Sequence, residues 1–280
     1  MLRFNEPLVL VGAGKMGGAL LSGWLGPKGD AGEGLAPENV FLRDPKPSAE
    51  IADLVVARGC SLNRSVEEIA AVRPRIVILA VKPQIMDVVL PDLRPLVQPG
   101  TLFVSIAAGV SLQRLSDLLG DGAVIVRAMP NTPASVGLGI TAAIGNTLVN
   151  ADDRAVCDAL LGAVGDVVWL SQEAQMDAVT ALSGSGPAYV FALAECMAAA
   201  GEALGLEPEL AAQLARSTVA GSGAMLAQLP EDAATLRKNV TSPGGTTAAA
   251  LDVLIGDQGL SLLMRKAMSA AQARSRELAK

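Results

Sequence analysis

Short apolar runs separated by amphipathic segments mark the first 170 residues of the chain. Runs of strand length that are apolar throughout are typical of strands buried on both faces, as in a parallel sheet. We predict strands at residues 7–11, 39–42, 75–81, 101–106 and 123–127, with 139–144 and 167–170 as further candidates at the sheet edge. Helical patterns fill intervals at 16–25, 48–58, 85–96 and 112–119. This alternation predicts an α/β fold, with a doubly wound parallel sheet in residues 1–170.

The pattern changes near residue 171, where the strand signals stop. Helices are predicted at 176–181, 188–204, 208–229, 231–240, 246–255 and 260–279, so residues 171–280 are expected to form an all-α domain. The segment 188–204 is apolar on nearly every side, which is typical of a helix buried on all faces. A region of about 110 residues has little interior of its own. We therefore expect a second subunit to cover it.

Composition narrows the possible chemistry. The chain has 280 residues, of which 51% are hydrophobic and 18% charged, so intrinsic disorder is not expected. It contains no histidine, which excludes Ser-His-Asp triads and histidine metal sites, and we predict no metal. The net charge is −6 without a long Lys/Arg run, so nucleic acid is not an expected partner. An anionic small molecule would need a local site built from backbone N–H groups and a few basic side chains.

The compartment is expected to be the cytoplasm. No signal peptide pattern is visible, and no uncharged run is long enough to span a bilayer, so no membrane partner is expected. Cys60, Cys157 and Cys196 are far apart and form no CxxC pattern. Such thiols suit a reducing compartment.

A glycine-rich motif follows the first predicted strand: Gly12-Ala13-Gly14-Lys15-Met16-Gly17. A GxGxxG sequence between a strand and a helix is the dinucleotide-binding signature of a Rossmann-type domain. Gly12 permits the tight turn, Gly14 lets the backbone approach a pyrophosphate, and Gly17 lets the helix pack against the strand. We expect the whole motif, Lys15 and Met16 included, to bind the cofactor.

The residues after the second strand face the adenosine ribose in such domains. Here they are Arg43-Asp44-Pro45-Lys46. Asp44 would bind a ribose 2′-hydroxyl, as in an NAD enzyme, whereas Arg43 or Lys46 would meet a 2′-phosphate, as in an NADP enzyme. Both signals are present, and the choice stays open at this point.

Three later strands also end in candidate cofactor residues, because ligands of open α/β sheets lie beyond the carboxyl ends of the strands. The predicted strand 75–81 ends in the motif Ala80-Val81-Lys82-Pro83, in which the Lys82 charge would meet a phosphate or ribose. The next strand is followed by Ala107-Ala108-Gly109, which carries no large side chain to obstruct a cofactor. The proline-rich segment 127–133 would then form the wall of a cleft.

Two glycine-rich motifs lie in the helical half: Ser183-Gly184-Ser185-Gly186-Pro187 and Thr241-Ser242-Pro243-Gly244-Gly245-Thr246-Thr247. Both predict loops at helix N-termini with hydroxyl caps. Ordinary capping is the better interpretation of the first. The second has more glycines and hydroxyls than a cap requires, and its free N–H groups predict a carboxylate site.

These motifs together resemble the pyrroline-5-carboxylate reductase family. The segments 177–189 and 236–247 are closely similar to that family, and GAGKMG, AVKP, AAG and MPNTP occur in the family's order. The resemblance covers essentially the whole chain, and the segment 236–247 is its most specific part. It implies an N-terminal Rossmann domain, a C-terminal helical dimerisation domain, and reduction of 1-pyrroline-5-carboxylate to L-proline with NADPH or NADH.

The resemblance also assigns roles by position. Ser242, Gly245, Thr246 and Thr247 would hold the substrate, within the loop that includes Gly244. Asn239 and Lys82 would lie near the cofactor, with Ala107 and Ala108. Ser65 or Asn63 would take a polar role on the adenosine side. The stretch 26–36 departs from the family as an enlarged loop near the adenosine side. The resemblance, together with Arg43 and Lys46, makes NADP the expected cofactor, with NAD as the alternative.

A mechanism follows from the resemblance. Thr247, the candidate catalytic residue, is expected to hydrogen-bond the ring nitrogen while the loop N–H groups hold the carboxylate. Two alternatives stand beside it. A β-hydroxyacid dehydrogenase usually needs a catalytic lysine in the helical half, where Lys238 is the only lysine before Lys266. A non-catalytic dinucleotide sensor would need no substrate loop.

Overall fold

The computed structural model describes residues 4–25 and 35–278, so most of the predicted enlarged loop lies outside the described residues. The chain divides into two compact units. The first comprises the described residues up to Gly184 together with the chain from Gln272 onward, and the second comprises Ser185–Ala271. The boundary predicted at residue 171 stays a prediction.

The first unit is built on an eight-stranded sheet whose order is β3-β2-β1-β4-β5-β6-β7-β8. Neighbouring strands are parallel except for β6 and β7, which are antiparallel. The strands are β1 (Leu8–Val11), β2 (Val40–Arg43), β3 (Ser61–Leu62), β4 (Ile76–Leu79), β5 (Leu102–Ser105), β6 (Val124–Met129), β7 (Gly139–Gly145) and β8 (Gly165–Trp169). The order reverses between β1 and β4, which confirms the predicted doubly wound sheet.

Helices flank the sheet and build the second unit. In chain order they are α1 (Lys15–Leu25), α2 (Ala49–Arg58), α3 (Val66–Ala71), α4 (Met86–Asp92), α5 (Leu112–Leu119), α6 (Ala151–Gly162), α7 (Met176–Val179), α8 (Gly186–Ala203), α9 (Pro208–Gln228), α10 (Ala233–Asn239), α11 (Thr246–Leu254) and α12 (Leu260–Leu278). Helix α2 begins at the Ser48 cap and ends at Gly59, which adopts a left-handed conformation, as the sequence predicts.

Strand β1 shows why both faces of the sheet are apolar. Leu8 and Leu10 belong to one hydrophobic cluster, and Val9 and Val11 belong to a second cluster on the other face. All four are almost completely buried. Because successive side chains of a strand point to opposite faces, only a continuous apolar run can serve a sheet covered on both sides.

Two predicted segments differ from the structure. The helix predicted over 85–96 stops at Asp92 and is followed by a short 3-10 helix, Arg94–Leu96. Pro91 inside α4 and Pro95 just after it explain the interruption, since proline lacks the N–H that a continuing helix needs. The first glycine-rich motif is not a capped loop, because Ser185 has helical dihedral angles and its side chain makes no capping hydrogen bond. The chain instead passes from α7 through a π-helical turn, Thr180–Gly184, into α8.

Apolar side chains of α8, in the second unit, are exposed to solvent in the single chain. Phe191 is 64% exposed and Leu193 46%, and no residue of this helix is buried. The composition of the helix predicts burial on all faces, so these side chains would need a cover outside the described chain. Within the described residues, no helix is long and apolar enough to cross a membrane.

Candidate active site

The three glycines of the GxGxxG motif meet three different surroundings. Gly12 has a φ of 90°, and a Cβ added there would lie 2.9 Å from the carbonyl oxygen of Ala80. A Cβ added to Gly17 would lie 2.4 Å from the carbonyl oxygen of Gly12. A Cβ added to Gly14 would meet nothing within 4 Å. The first and third glycines are therefore required by the packing of the fold, whereas Gly14 borders open space.

The opening beside Gly14 fits a dinucleotide. Gly14 and Lys15 are exposed, Met16 is half-buried, and α1 begins at Lys15. In the described part of the chain, the first turn of α1 carries no acidic side chain. Free N–H groups and the positive end of a helix dipole favour a phosphate at such a position.

Asp44 organises the loop that carries this motif. One of its carboxylate oxygens accepts the backbone N–H of Ala13 at 2.7 Å, and the other accepts that of Lys46 at 2.8 Å. Asn63 completes the corner, because its side-chain amide exchanges two hydrogen bonds with the backbone of Asp44, at 2.7 and 2.9 Å. The structure thus brings together the ends of β2 and β3, where the sequence predicts the adenosine side.

Cationic side chains line the same corner. The guanidinium of Arg43 donates to the carbonyl oxygen of Arg64, and Lys46 is exposed nearby in the chain. Ser65 caps α3 by accepting the N–H of Glu68 at 3.2 Å. The pKa of Glu67 is lowered, chiefly by its own backbone N–H, then by the Ser65 hydroxyl and more weakly by Arg43.

The end of β4 lies beside the glycine motif, as the topology predicts, and β5 is the next strand along the same edge. A Cβ on Gly12 would touch Ala80 and, at 3.1 Å, the side chain of Val81, so this loop packs directly on the end of β4. Lys82 is exposed and precedes a 3-10 helix that begins at Pro83. After β5, Ala107 is buried and Ala108 is exposed. Every cofactor residue predicted in the first unit thus lies at the carboxyl edge of β1–β5.

A part-buried ion pair that the sequence pattern does not predict stabilises the next part of this edge. Arg127 of β6 is buried and donates to Glu173 at 2.8 Å. The same Glu173 oxygen accepts the N–H of Leu112, the first residue of α5, at 2.8 Å. The available signal was an arginine at the end of an apolar strand, but its partner lies 46 residues away.

The predicted substrate loop of the second unit begins with a tight turn. The N–H of Gly245 donates to the carbonyl oxygen of Ser242 at 3.0 Å, and Gly244 has a φ of 69°. Proline at the second position and a left-handed glycine at the third are typical of a type II turn. The turn ends at Gly245, directly before the first residue of α11.

Helix α11 lacks the hydroxyl cap that the sequence predicts. Its N-cap residue is Gly245, and in the described structure no side chain forms a capping hydrogen bond there. The first N–H groups of a helix have no partner within the helix, so the backbone at Thr246 and Thr247 retains donors for an anion. Thr247 is half-buried and Thr246 exposed. Asn239, predicted to lie near the cofactor, is the last residue of α10 in this same unit.

Comparison with known protein families gives two matches. Residues 173–278 match the model of pyrroline-5-carboxylate reductase dimerisation. Residues 7–109 match the model described as NADP oxidoreductase, coenzyme F420-dependent. Among distant solved structures, 3-hydroxyisobutyrate dehydrogenase of Mycobacterium tuberculosis is 15% identical with a TM-score of 0.51, over 98% of this chain and 92% of that one, and shares only the fold.

Full-length relatives are much more similar. Pyrroline-5-carboxylate reductase of Pseudomonas aeruginosa is 39% identical, over 97% of this chain and 96% of the relative. The solved structure of pyrroline-5-carboxylate reductase from Coxiella burnetii is 34% identical, with a TM-score of 0.89 and 99% of each chain covered. That of Plasmodium falciparum pyrroline carboxylate reductase, with NADP bound, is 31% identical, with a TM-score of 0.81 and full coverage of both chains. The chain therefore belongs to the pyrroline-5-carboxylate reductase family.

Proposed function

We propose that this chain reduces 1-pyrroline-5-carboxylate to L-proline, the last step of proline synthesis, with a hydride from NADPH. The observation that carries this proposal is the near-full-length similarity to pyrroline-5-carboxylate reductases, at 39% identity over 97% of the chain. The two local sites support it, since one offers an anion-binding glycine loop at a sheet edge and the other a hydroxyl-rich turn before a helix.

The first unit would hold the dinucleotide at the edge of β1–β5. Gly12, Gly14, Lys15, Met16 and Gly17 would surround the pyrophosphate. The remaining cofactor residues are proposed to be Arg43, Asp44, Ser65, Ala80, Val81, Lys82, Pro83, Ala107, Ala108 and, from the second unit, Asn239. Once bound, the dinucleotide supplies the hydride.

NADPH is the proposed cofactor, with NADH as the alternative. Both carboxylate oxygens of Asp44 already accept backbone N–H groups, which reduces its capacity to bind a ribose hydroxyl. Arg43 and Lys46 supply positive charge for a 2′-phosphate. The relative from Plasmodium falciparum, whose structure holds NADP, supports the same choice. Steady-state kinetics with both cofactors on the pyrroline substrate test the preference and the activity together.

The loop before α11 would hold the substrate through its carboxylate. The type II turn fixes Ser242, Gly244 and Gly245, and the uncapped helix start offers N–H groups at Thr246 and Thr247. A carboxylate accepts hydrogen bonds from such donors, and the helix dipole favours its charge. This contact would set the position of the pyrroline ring.

Thr247 is proposed to act on the ring nitrogen. A protonated imine is the better hydride acceptor, and the substrate can bring that proton itself. The Thr247 hydroxyl would hydrogen-bond the nitrogen as it changes from imine to amine. A contact that tightens along this path stabilises the transition state more than the bound substrate, and so raises kcat.

Thr247→Ala tests this role. We expect kcat/KM to fall by roughly ten- to a thousandfold, the range for a lost hydrogen bond of about 1.5–4 kcal/mol, with NADPH affinity nearly unchanged. Ser242→Ala should mainly raise the substrate KM. Thr147→Ala, at an exposed threonine between β7 and α6 of the first unit, is the control and should behave as wild type. Full activity of Thr247→Ala, or joint loss of NADPH binding and turnover, would contradict the assignment.

The assembly is proposed to be a homo-oligomer formed through the helical domain, residues 171–280, with the dinucleotide domain at residues 1–170. The dimerisation model that matches residues 173–278 supports this, as do the exposed apolar side chains of α8, Phe191 among them. We propose a cytoplasmic location, to which three cysteines without disulfide bonds are suited. The partners proposed are the small-molecule substrate and further copies of the chain.

A further inference from the structure

The hydroxyl of Ser183 is buried and unpaired. Its oxygen is shielded from solvent and meets no hydrogen-bond partner among the residues that the structure describes. Ser183 lies in the π-helical turn Thr180–Gly184. Thr180, in the same turn, donates its hydroxyl to the carbonyl oxygen of Met176 at 2.9 Å, which is the usual arrangement of a helical hydroxyl. Buried polar groups are nearly always paired, so the exception at Ser183 needs an explanation.

Ser183 lies against the carboxyl end of β6. The side-chain amide of Asn131, two residues after the strand, donates to the carbonyl oxygen of Ser183 at 3.4 Å. A Cβ added to Gly184 would lie 2.5 Å from the methyl carbon of Met129, the last residue of β6. The π-helical turn is therefore fixed to the edge of the sheet that continues from the cofactor residues after β4 and β5.

The strand order of the sheet determines which part of a bound dinucleotide reaches this edge. The glycine motif follows β1, and the adenosine corner lies on one side of it, after β2 and β3. The other side of β1 continues through β4, β5 and β6. A dinucleotide bound across the point where the strand order reverses places its two nucleosides on opposite sides of that point. The nicotinamide half therefore faces the β4–β6 side.

We infer that the Ser183 hydroxyl hydrogen-bonds the carboxamide of the nicotinamide ring, an inference that rests on the proposed function. A carboxamide offers both a carbonyl oxygen and N–H donors, and a serine hydroxyl can donate to the one or accept from the other. The residue itself is only half-buried, and the bond would require a rotation of its side chain that brings the hydroxyl to the surface. The bond fixes the rotation of the ring and hence the face that delivers the hydride.

Ser183→Ala and two ligands test this inference. The ligands are NADPH and 2′-phospho-ADP-ribose, which lacks the nicotinamide. We expect the Kd of NADPH to rise roughly tenfold, equivalent to about 1.4 kcal/mol, and that of 2′-phospho-ADP-ribose to stay within about twofold. The Tm of the ligand-free variant should be unchanged or higher, because the substitution removes an unpaired buried group. Ser185→Ala, two residues further on, is the matched control and should leave both affinities unchanged.

Three results would overturn the inference. Equal weakening of both ligands would show that Ser183 maintains the fold of the cofactor site as a whole. Unchanged NADPH affinity with a raised substrate KM would place the hydroxyl against the substrate. Unchanged Kd values and an unchanged substrate KM would show that the hydroxyl contacts neither the cofactor nor the substrate. Because these measurements need binding but no turnover, a wild-type protein that binds NADPH without reducing the pyrroline would refute the proposed function alone.

Discussion

Substitution of Gly14 should affect dinucleotide binding, whereas substitution of Gly17, in the same motif, should affect stability. Gly14→Val places a side chain where the structure has open space within 4 Å of the new Cβ, whereas Gly17→Ala places a Cβ 2.4 Å from the carbonyl oxygen of Gly12. We expect the first substitution to weaken dinucleotide binding strongly with little effect on stability, and the second to lower stability.

The loss of stability expected for Gly17→Ala follows from the close packing of Gly17 against Gly12. The methyl group and the Gly12 oxygen need about 1 Å more separation, and both belong to fixed backbone, so the strand–helix junction must shift. Overpacking of this kind costs about 1–3 kcal/mol or more. Alanine recovers up to about 1 kcal/mol through its helix propensity. A net loss near 2 kcal/mol lowers the Tm by roughly 4–8 °C in a protein of this size.

The loss of NADPH affinity expected for Gly14→Val follows from the hydrogen bonds that the pyrophosphate would lose. The valine side chain would occupy the space in which a pyrophosphate approaches the backbone, and two hydrogen bonds to a charged group are worth roughly 1.5–3 kcal/mol each. The Kd of NADPH should therefore rise at least about a hundredfold. The Tm without ligand should change by less than about 2 °C, because an exposed substitution is nearly neutral.

Thermal denaturation without ligand and a fluorescence titration with NADPH measure both effects on the same samples. Gly14→Ala provides an intermediate side chain and should weaken binding less than valine does. Unchanged NADPH affinity in Gly14→Val would remove the assignment of this loop to the pyrophosphate. A Gly17→Ala protein as stable as wild type would show that the close contact with Gly12 relaxes without cost.

Two further predictions concern assembly and thiol chemistry. Light scattering at micromolar concentration should give at least a dimer, and a monomer would refute the cover proposed for α8. Burial raises the pKa of Cys157 to about 12 and that of Cys60 to about 11. Since only the thiolate reacts, both should resist iodoacetamide at pH 8 in the native protein and react after unfolding; rapid native alkylation of Cys157 would contradict its burial.

The strands were predictable because their signal is local. Buried parallel strands need continuous apolar runs, and 76–79 and 102–105 lie inside such runs. Helices α3 and α6 were missed, although each begins with a capping box, Ser65 with Glu68 and Asn150 with Asp153. In α6 the large apolar residues, Val156, Leu160 and Leu161, begin only at the sixth position of the helix, so the cap at its start was the better signal.

The site was predictable only where one chain segment builds it. The glycine motif and the turn at 242–245 can be identified from neighbouring residues, since their geometry depends on glycine and proline at fixed spacing. The pairing of Arg127 with Glu173 joins residues 46 positions apart. The interpretation of Ser183 as part of a capped loop was wrong because the π-helical turn replaces the loop, and sequence periodicity does not distinguish a helix that starts from one that continues.

The absence of histidine from the sequence limits which groups can form the two candidate sites. Without histidine, the chain builds its proposed ligand contacts from backbone N–H groups, serine and threonine hydroxyls and a few fixed cations. Backbone donors are oriented by the turns that hold them, as at Gly14 and at Thr246, and they carry no proton to transfer. In the proposed mechanism the substrate therefore brings the proton of the imine itself. The part proposed for the protein is orientation, through Thr247 at the ring nitrogen and Ser183 at the carboxamide, and orientation is what rigid turns before helices supply.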